Sequence, residues 1–253
     1  MKPLLKDTIV SIIGDITGSR MLPQQGCTSV VQVLETAKGA YLLKSSYKQK
    51  YREWLKEEAD VLNRLGGSKD INTPVYYGYF EDDDSSHLIM SYEKGANLTE
   101  ALKIAENPEE RHRLIRGFGN LLQQLHETDT DLLSQEENWL EEQLSKAEKY
   151  VQLGEADGDM ELLETLKSNK PMRVKHTVIH GDCNTDNVLV TDSEVKMFID
   201  VAGMAYGDPR YDESLAIRKF SEEERQSFYE GYKRYKVSEE EFTYFNNGLY
   251  EFF

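Results

Sequence analysis

Asp182 and Asn187 stand five positions apart in the stretch VIHGDCNTDNVLV, residues 178–190. Two apolar runs, Val178-Ile179 and Val188-Leu189-Val190, flank eight polar loop residues. A strand–turn–strand accounts for part of this, because Asn, Asp and Gly tolerate turn geometry. A tight hairpin, however, needs only about two to five loop residues. Phosphoryl-transfer loops of the form H-R-D-x-x-x-x-N use the same spacing. Their aspartate accepts the proton of the attacking hydroxyl and their asparagine holds a magnesium ion.

Such chemistry needs further parts, and each can be sought in chain order. A second metal ligand is expected downstream. Asp200 ends VKMFID, thirteen residues after Asn187, where a preceding strand would fix its carboxylate. Mg2+ takes hard oxygen ligands, typically one or two carboxylates with phosphate oxygens. The plainer reading is an aspartate in a turn. A lysine is expected on an early strand, and Lys44 closes the apolar run AYLLK. It resembles the strand lysine that pairs with the α- and β-phosphates of a nucleotide; the plainer reading is a surface lysine on an edge strand. In KEEADVLNRL, Glu58 shares a helix face with Val61, Leu62 and Leu65, whereas Glu57 points the other way. An acid on an apolar face is costly unless paired, and Lys44 is the expected partner. Gly26, Thr28 and Ser29 in PQQGCTSVVQV offer backbone and hydroxyl donors to phosphate, although neither G-x-G-x-x-G nor G-x-x-x-x-G-K-[ST] is present. A polar turn explains that stretch equally well.

Other chemistry has weaker support. His176, His180 and Cys183 raise zinc, but the two histidines lie along an expected strand and no fourth ligand accompanies them. His180 is better placed to support Asp182. Asp208 is a candidate helix cap and Asp212 lies in the first turn that follows, roles that are structural by themselves.

The elements that must position these groups divide the 253 residues into two lobes. Residues 1–92 read as strands (SVVQVLET, GAYLLKSS, TPVYYGYFE and HLIMSYE) with one helix from Lys48 to Leu65, ended by Gly66-Gly67. An amphipathic helix with Leu5, Ile9, Ile12 and Ile13 on one face precedes them. Residues 93–253 read as mostly helical with a small sheet. Asn97 caps one helix and Pro108 opens another carrying Leu114, Ile115, Phe118, Leu121, Leu122 and Leu125. Helices follow at Glu137–Leu153 and Met160–Ser168, and everything from Tyr211 onward is expected to be helical. Across the tail NNGLYEFF and the residues just before it, helix periodicity puts Tyr244, Leu249 and Phe252 near one apolar side that would tie the chain down. The fold class is therefore α+β, a small antiparallel sheet lobe with one helix and a larger helical lobe.

The formal charge is −16. That surface repels nucleic acid and anionic membranes and attracts cationic partners. No apolar run approaches the roughly 18 residues of a membrane helix, and the N-terminal residues lack signal-peptide order. Cys27 and Cys183 make no disulfide framework, so a cytoplasmic location is expected.

The segments HGDCNTDNVLV and FIDVAGMAYGDPRYDESLA, with Lys44, Glu58 and the linker MSYEKG, resemble the aminoglycoside phosphotransferase and choline kinase superfamily. Within it the chain is most similar to the bacterial aminoglycoside 3′-phosphotransferases, which share its length, the LLQQLHETD helix end and the acidic-aromatic tail YEFF. The resemblance implies a protein-kinase-like fold that binds ATP between two lobes. It implies adenine contacts from backbone near Ser91, Tyr92 and Glu93, Asp182 as base, and Asn187 and Asp200 on Mg2+. It also implies an acceptor site to which Glu251 and the carboxylate of Phe253 contribute. Ala202 and Gly203 stand where the 3′-enzymes usually carry Gly-Arg, a departure that bears on the acceptor more than on the chemistry. The expected activity is ATP-dependent phosphorylation of a hydroxyl on a small cationic molecule, an aminoglycoside first. Kinases of choline, thiamine or ketosamines, and a non-catalytic nucleotide-binding module, are the alternatives. A protein kinase fits less well, because D-F-G and A-P-E are missing.

Overall fold

The computed structural model describes residues 3–253 apart from 24, 67, 69, 130 and 134–137, with side chains from Leu5 onward. The chain forms two compact units, Met1–Lys94 with Phe198–Gly203, and Gly95–Met197 with Met204–Phe253.

The first unit is built on five antiparallel strands. Helix α1 (Pro3–Ile13) precedes β1 (Ile16–Met21), β2 (Val30–Thr36) and β3 (Gly39–Ser46). Helix α2 (Gln49–Leu65) separates these from β4 (Tyr76–Glu81) and β5 (Ser86–Ser91), and the strand order is β1-β2-β3-β5-β4. Ile9 and Ile13 of α1 bury against Leu34, Leu43 and Ile89, so the apolar face expected of that helix is its packing face. Strand β1 was not apparent in the sequence. It lies at a sheet edge and most of its side chains face solvent, so it carries no apolar alternation. Helix α2 ends at Gly66, whose φ of +55° lets its N–H reach the Leu62 carbonyl at 3.1 Å. Gly67 lies outside the described residues.

Segment 198–203 packs with this unit, whereas the sequence division at residue 92 put it in the second lobe. The Phe198 N–H donates to the Asn72 carbonyl at 3.0 Å, and the turn Val201–Gly203 rests on α2. Burial of Phe198 and Val201 holds it there.

The second unit is mostly helical. After β6 (Ala96–Asn97) come α3 (Leu98–Ile104), α4 (Pro108–Glu127), α5 (Trp139–Leu153) and α6 (Met160–Ser168). The expected start of α5 at Glu137 lies outside the described residues. Asn97 caps α3 by accepting the Glu100 N–H at 2.9 Å, and Pro108 opens α4 behind the Asn107 cap. Strands β7 (Thr177–Ile179), β8 (Val188–Thr191), β9 (Glu194–Phe198) and β10 (Ala205–Gly207) follow. The two strands that flank the polar loop do not form a hairpin. Strand β7 pairs with β10, while β8 lies between β6 and β9. The loop is therefore a link between two sheets rather than a turn.

Helices α7 (Pro209–Ile217), α8 (Glu222–Gly231) and α9 (Glu239–Asn246) complete the unit with a final 3-10 turn, Leu249–Phe252. The tail is not helical throughout. Capping boxes at Ser221 and Ser238 restart the helix twice, each closed by a glutamate three residues on. Helices α4 and α8 cross closely. A Cβ on Gly119 would stand 2.2 Å from the Phe228 carbonyl oxygen, and one on Gly231 would stand 2.1 Å from that of Arg116. Tyr244, Leu249 and Phe252 are buried with Trp139, Leu166 and Phe245 in one core, which anchors the C-terminal turn. No helix among the described residues is long and apolar enough to cross a membrane.

The second unit also buries an acid. Glu213 of α7 is fully buried; one oxygen accepts from Tyr229 Oη at 2.8 Å and Val237 N at 2.7 Å, and the other has no partner among the described residues. Burial pushes its pKa up to about 8, against the opposing pull of those two donors. The unfolded chain loses this proton near the ordinary carboxylate value and the folded chain holds it to about 8, so the folded state binds more protons in between. Stability contributed by this group therefore falls as pH rises across that window, by about 1.4 kcal/mol per pH unit. Urea unfolding from pH 5 to 8 is expected to show this decline. Glu213→Gln should flatten it and unfold at higher urea than wild type at pH 8. Parallel curves for the two proteins would contradict the assignment.

Candidate active site

The polar loop hangs from one buried carboxylate. Asp212, in the first turn of α7, accepts the backbone N–H of His180 at 2.6 Å and that of Gly181 at 2.9 Å. His126 Nε2 also lies 3.3 Å from Asp212 Oδ2, and its Nδ1 lies 2.8 Å from the Tyr232 hydroxyl. Asp212, His126 and His180 are all buried. A carboxylate only accepts, so the proton on His126 belongs on Nε2 and Tyr232 donates to Nδ1. Gly181 takes a φ of +82°, a turn that side chains resist. The chain then reverses so that the Asp182 N–H meets His180 Nδ1 at 3.2 Å. Asp208, the other aspartate considered structural, is the N-cap of α7.

Asp182 is thereby presented half-buried, with its carboxylate oriented by the loop itself. Asn184 Nδ2 donates to Oδ1 at 2.8 Å, and Asn187 Nδ2 donates to Oδ2 at 2.7 Å. Asn187 Nδ2 also reaches the Asp182 carbonyl at 2.9 Å, closing the five-residue interval. The 3-10 turn Thr185–Asn187 provides the reach, and Thr185 is tied to Thr99 of α3 at 2.7 Å. Two groups that the sequence did not single out stand beside it. Tyr250 donates its hydroxyl to Asp182 Oδ1 at 3.2 Å, and the Arg218 guanidinium lies over the Tyr250 ring, 4.5 Å from its centroid. Burial, then the Asp182 charge, push the Tyr250 phenol up to about 12, while Arg218 pulls the other way. The hydroxyl is thus a neutral donor over the physiological range. Glu251 is exposed, its carbonyl accepting the Gly158 N–H at 2.8 Å. The Phe253 ring stands against Tyr150, 5.9 Å between centroids.

The first unit carries the other set. Lys44 lies on β3, an interior strand between Val31 of β2 and Leu88 of β5, rather than on an edge. Its Nζ lies 2.9 Å from both oxygens of Glu58, an acid only 4% exposed. Lys44 also pairs with Asp200. Asp200 sits two residues beyond the end of β9 and takes a φ of +58°, so a left-handed turn rather than the expected strand end aims its carboxylate. The turn formers Gly26, Thr28 and Ser29 lie between β1 and β2. Gln25 braces their loop through the Leu22 and Val31 carbonyls and the Val31 N–H. Ser29 and Ser46 share a hydroxyl hydrogen bond of 2.7 Å, and Ser46 Oγ donates to the Thr28 carbonyl. The Ser91 N–H is committed to the Val75 carbonyl at 2.8 Å, so it is not a donor for adenine. The Ser91 hydroxyl bonds Glu93, and Tyr92 receives Arg20 at 3.0 Å.

Taken singly, each residue expected to hold magnesium has an oxygen of the kind that ion takes. Asp200 has a carboxylate. Asn187 spends its amide nitrogen on Asp182, so its amide oxygen is not used in that contact. The residues raised for zinc are dispersed. His176 packs near the Tyr206 ring, and burial pushes the Cys183 thiol well up, away from the thiolate zinc takes. Among the described residues no group of three or more His, Cys, Asp or Glu is arranged to hold a metal ion.

Residues 23–244 match the family described as the phosphotransferase enzyme family. The chain belongs to this family. No curated protein sequence matches it. Solved structures of phosphotransferases share its fold. An aminoglycoside-3′-phosphotransferase of type VIII is 24% identical, with a TM-score of 0.79 and 98% of each chain covered. The phosphotransferase APH(3″)-Id from Streptomyces rimosus, solved with ADP and streptomycin, is 18% identical, with a TM-score of 0.69 and coverages of 94% and 95%. A spectinomycin phosphotransferase, solved with ADP and spectinomycin, is 17% identical, with a TM-score of 0.63 and coverages of 96% and 82%. The kinase-like fold expected from the sequence is therefore the fold of this phosphotransferase. Tyr250 and Arg218 had no local signal, because each meets the loop only through tertiary structure. Asn184 stood in the loop as one more turn former.

The dependence of the loop on Asp212 is testable. Asp212→Asn replaces an acceptor-only group by one whose amide nitrogen faces N–H donors. A loss of about 2–4 kcal/mol in unfolding free energy is expected. Hydrogen exchange at the His180 and Gly181 amides should rise by more than the global loss explains. Unchanged exchange at those two amides would show that the loop is held otherwise.

Proposed function

We propose that this phosphotransferase moves the γ-phosphoryl group of ATP to a hydroxyl of a small cationic molecule, with an aminoglycoside as first choice. The observation that carries this reading is the half-buried Asp182 carboxylate, oriented by Asn184 and Asn187 on a backbone anchored by Asp212. A carboxylate held this way is suited to take the proton of an acceptor hydroxyl as its oxygen attacks phosphorus. Lys44, fixed by Glu58, supplies a positive charge for the α- and β-phosphates. The braced loop of Gly26, Thr28 and Ser29 covers phosphate oxygens, and backbone at Tyr92 and Glu93 receives adenine. Asn187 and Asp200 would hold Mg2+, which offsets phosphate charge when bound. The first unit then serves the nucleotide, and the second serves catalysis and the acceptor.

The cationic acceptor draws on the formal charge of −16 and on Glu251, exposed on the anchored C-terminal turn. Similarly folded phosphotransferases are solved in complex with streptomycin and with spectinomycin, which supports a small-molecule acceptor of this kind here. A phosphate added to such a polycation lowers its positive charge and weakens any target binding that depends on it. Both cysteines are free, which suits a reducing cytoplasm.

The test is ATP consumption with Mg2+ across a panel of aminoglycosides and amino alcohols, with Asp182→Asn beside wild type. Turnover of an aminoglycoside is expected, and the variant should lose about 10²–10⁴-fold in kcat with its KM for ATP kept. Turnover of singly charged amino alcohols alone would replace the aminoglycoside by a metabolite. Near-normal turnover by Asp182→Asn would remove the base.

A further inference from the structure

The carboxylate of Asp182 has about four lone-pair sites, two on each oxygen. Among the described residues three are occupied. Oδ1 receives Asn184 Nδ2 at 2.8 Å and the Tyr250 hydroxyl at 3.2 Å, and Oδ2 receives Asn187 Nδ2 at 2.7 Å. The two asparagines belong to the loop and move with it. Tyr250 reaches in from 68 residues away, on a turn whose neighbours Leu249 and Phe252 are fully buried. Its ring is clasped by Arg218. Among the described residues the phenol is therefore the one donor to the Asp182 carboxylate that is fixed independently of the loop.

We infer that Tyr250 is a positioning residue for the base: by filling the second site on Oδ1 it leaves one open site, on Oδ2, for the acceptor hydroxyl. This inference rests on the reading of Asp182 as base. In the step that follows, the acceptor O–H bond breaks and its proton passes to Asp182 Oδ2. The acceptor oxygen bonds the γ-phosphorus. The bond from that phosphorus to the β–γ bridging oxygen breaks, and its electron pair leaves with ADP. Without the phenol, Oδ1 also has an open site, and the hydroxyl docks on either oxygen. Only one of the two geometries then suits transfer. Such a defect lowers kcat and leaves nucleotide binding alone.

Tyr250→Phe removes one oxygen and keeps the ring beneath Arg218, so folding should be retained. Phosphate release from Mg-ATP, with water as acceptor, is followed in wild type, Tyr250→Phe, Asp182→Asn and the double variant. The expected result for Tyr250→Phe is a kcat lower by about tenfold (about 1.4 kcal/mol), with KM for ATP and Tm unchanged. In the Asp182→Asn background the same substitution should add nothing. A wild-type kcat for Tyr250→Phe, or an equal loss in both backgrounds, overturns the inference. Full activity in Asp182→Asn alone would mark failure of the base assignment instead. A second readout needs no turnover. In protein labelled with 13C at the tyrosine ζ carbon, the Tyr250 resonance, identified by its loss in Tyr250→Phe, should shift in Asp182→Asn. An unmoved resonance also overturns the inference.

Discussion

The second unit depends on one charge placed where water cannot reach it. Asp212 is fully buried, and the two backbone N–H groups it accepts are those that turn the chain out of β7 into the polar loop. A buried carboxylate is tolerated only when its lone pairs are filled. The loop satisfies the charge, and the charge fixes the loop. The direction in which Asp182 is presented follows from that mutual requirement together with the positive φ at Gly181, which lets the chain turn between the two amides and the aspartate.

A second constraint acts on Asp182 from the far end of the fold. The Leu249–Phe252 turn is held by apolar burial among Trp139, Leu166 and Phe245. It delivers Tyr250 to the carboxylate with a fixed approach. The first unit uses the same logic in its own core. Glu58 on the buried stripe of α2 requires a cation, and Lys44 on the interior strand β3 supplies it. In both units an acid in an apolar setting selects its partner, and the pair sets the position of a group suited to chemistry.

Several of these features were legible in the sequence because they are local. The five-residue interval from Asp182 to Asn187 ends in one 3-10 turn, Thr185–Asn187. The placement of Glu58 followed from helical periodicity, and Asn97 and Pro108 marked helix starts by capping chemistry alone. The remaining features are tertiary or lack an apolar pattern. Strand β1 is an exposed edge. The segment after β9 reads as continuous with the second unit, yet it packs on α2 of the first through contacts that no nearby residue announces. Asp212 looked like an ordinary first-turn acid, because nothing in its helix reveals that two amides lie opposite it. Tyr250 belonged to a tail read for its acids, and its hydroxyl partner is 68 residues away.

The central claim is that Asp182 works as a base, so that the acceptor oxygen and not a protein oxygen attacks phosphorus. The stereochemistry at the transferred phosphorus tests this directly. ATP made chiral at the γ-phosphorus with oxygen isotopes would be turned over with a panel compound that the protein phosphorylates, and the product configuration read by 31P NMR. A single in-line displacement predicts inversion. Retention would mean two displacements through a phosphorylated enzyme group, and would contradict the account.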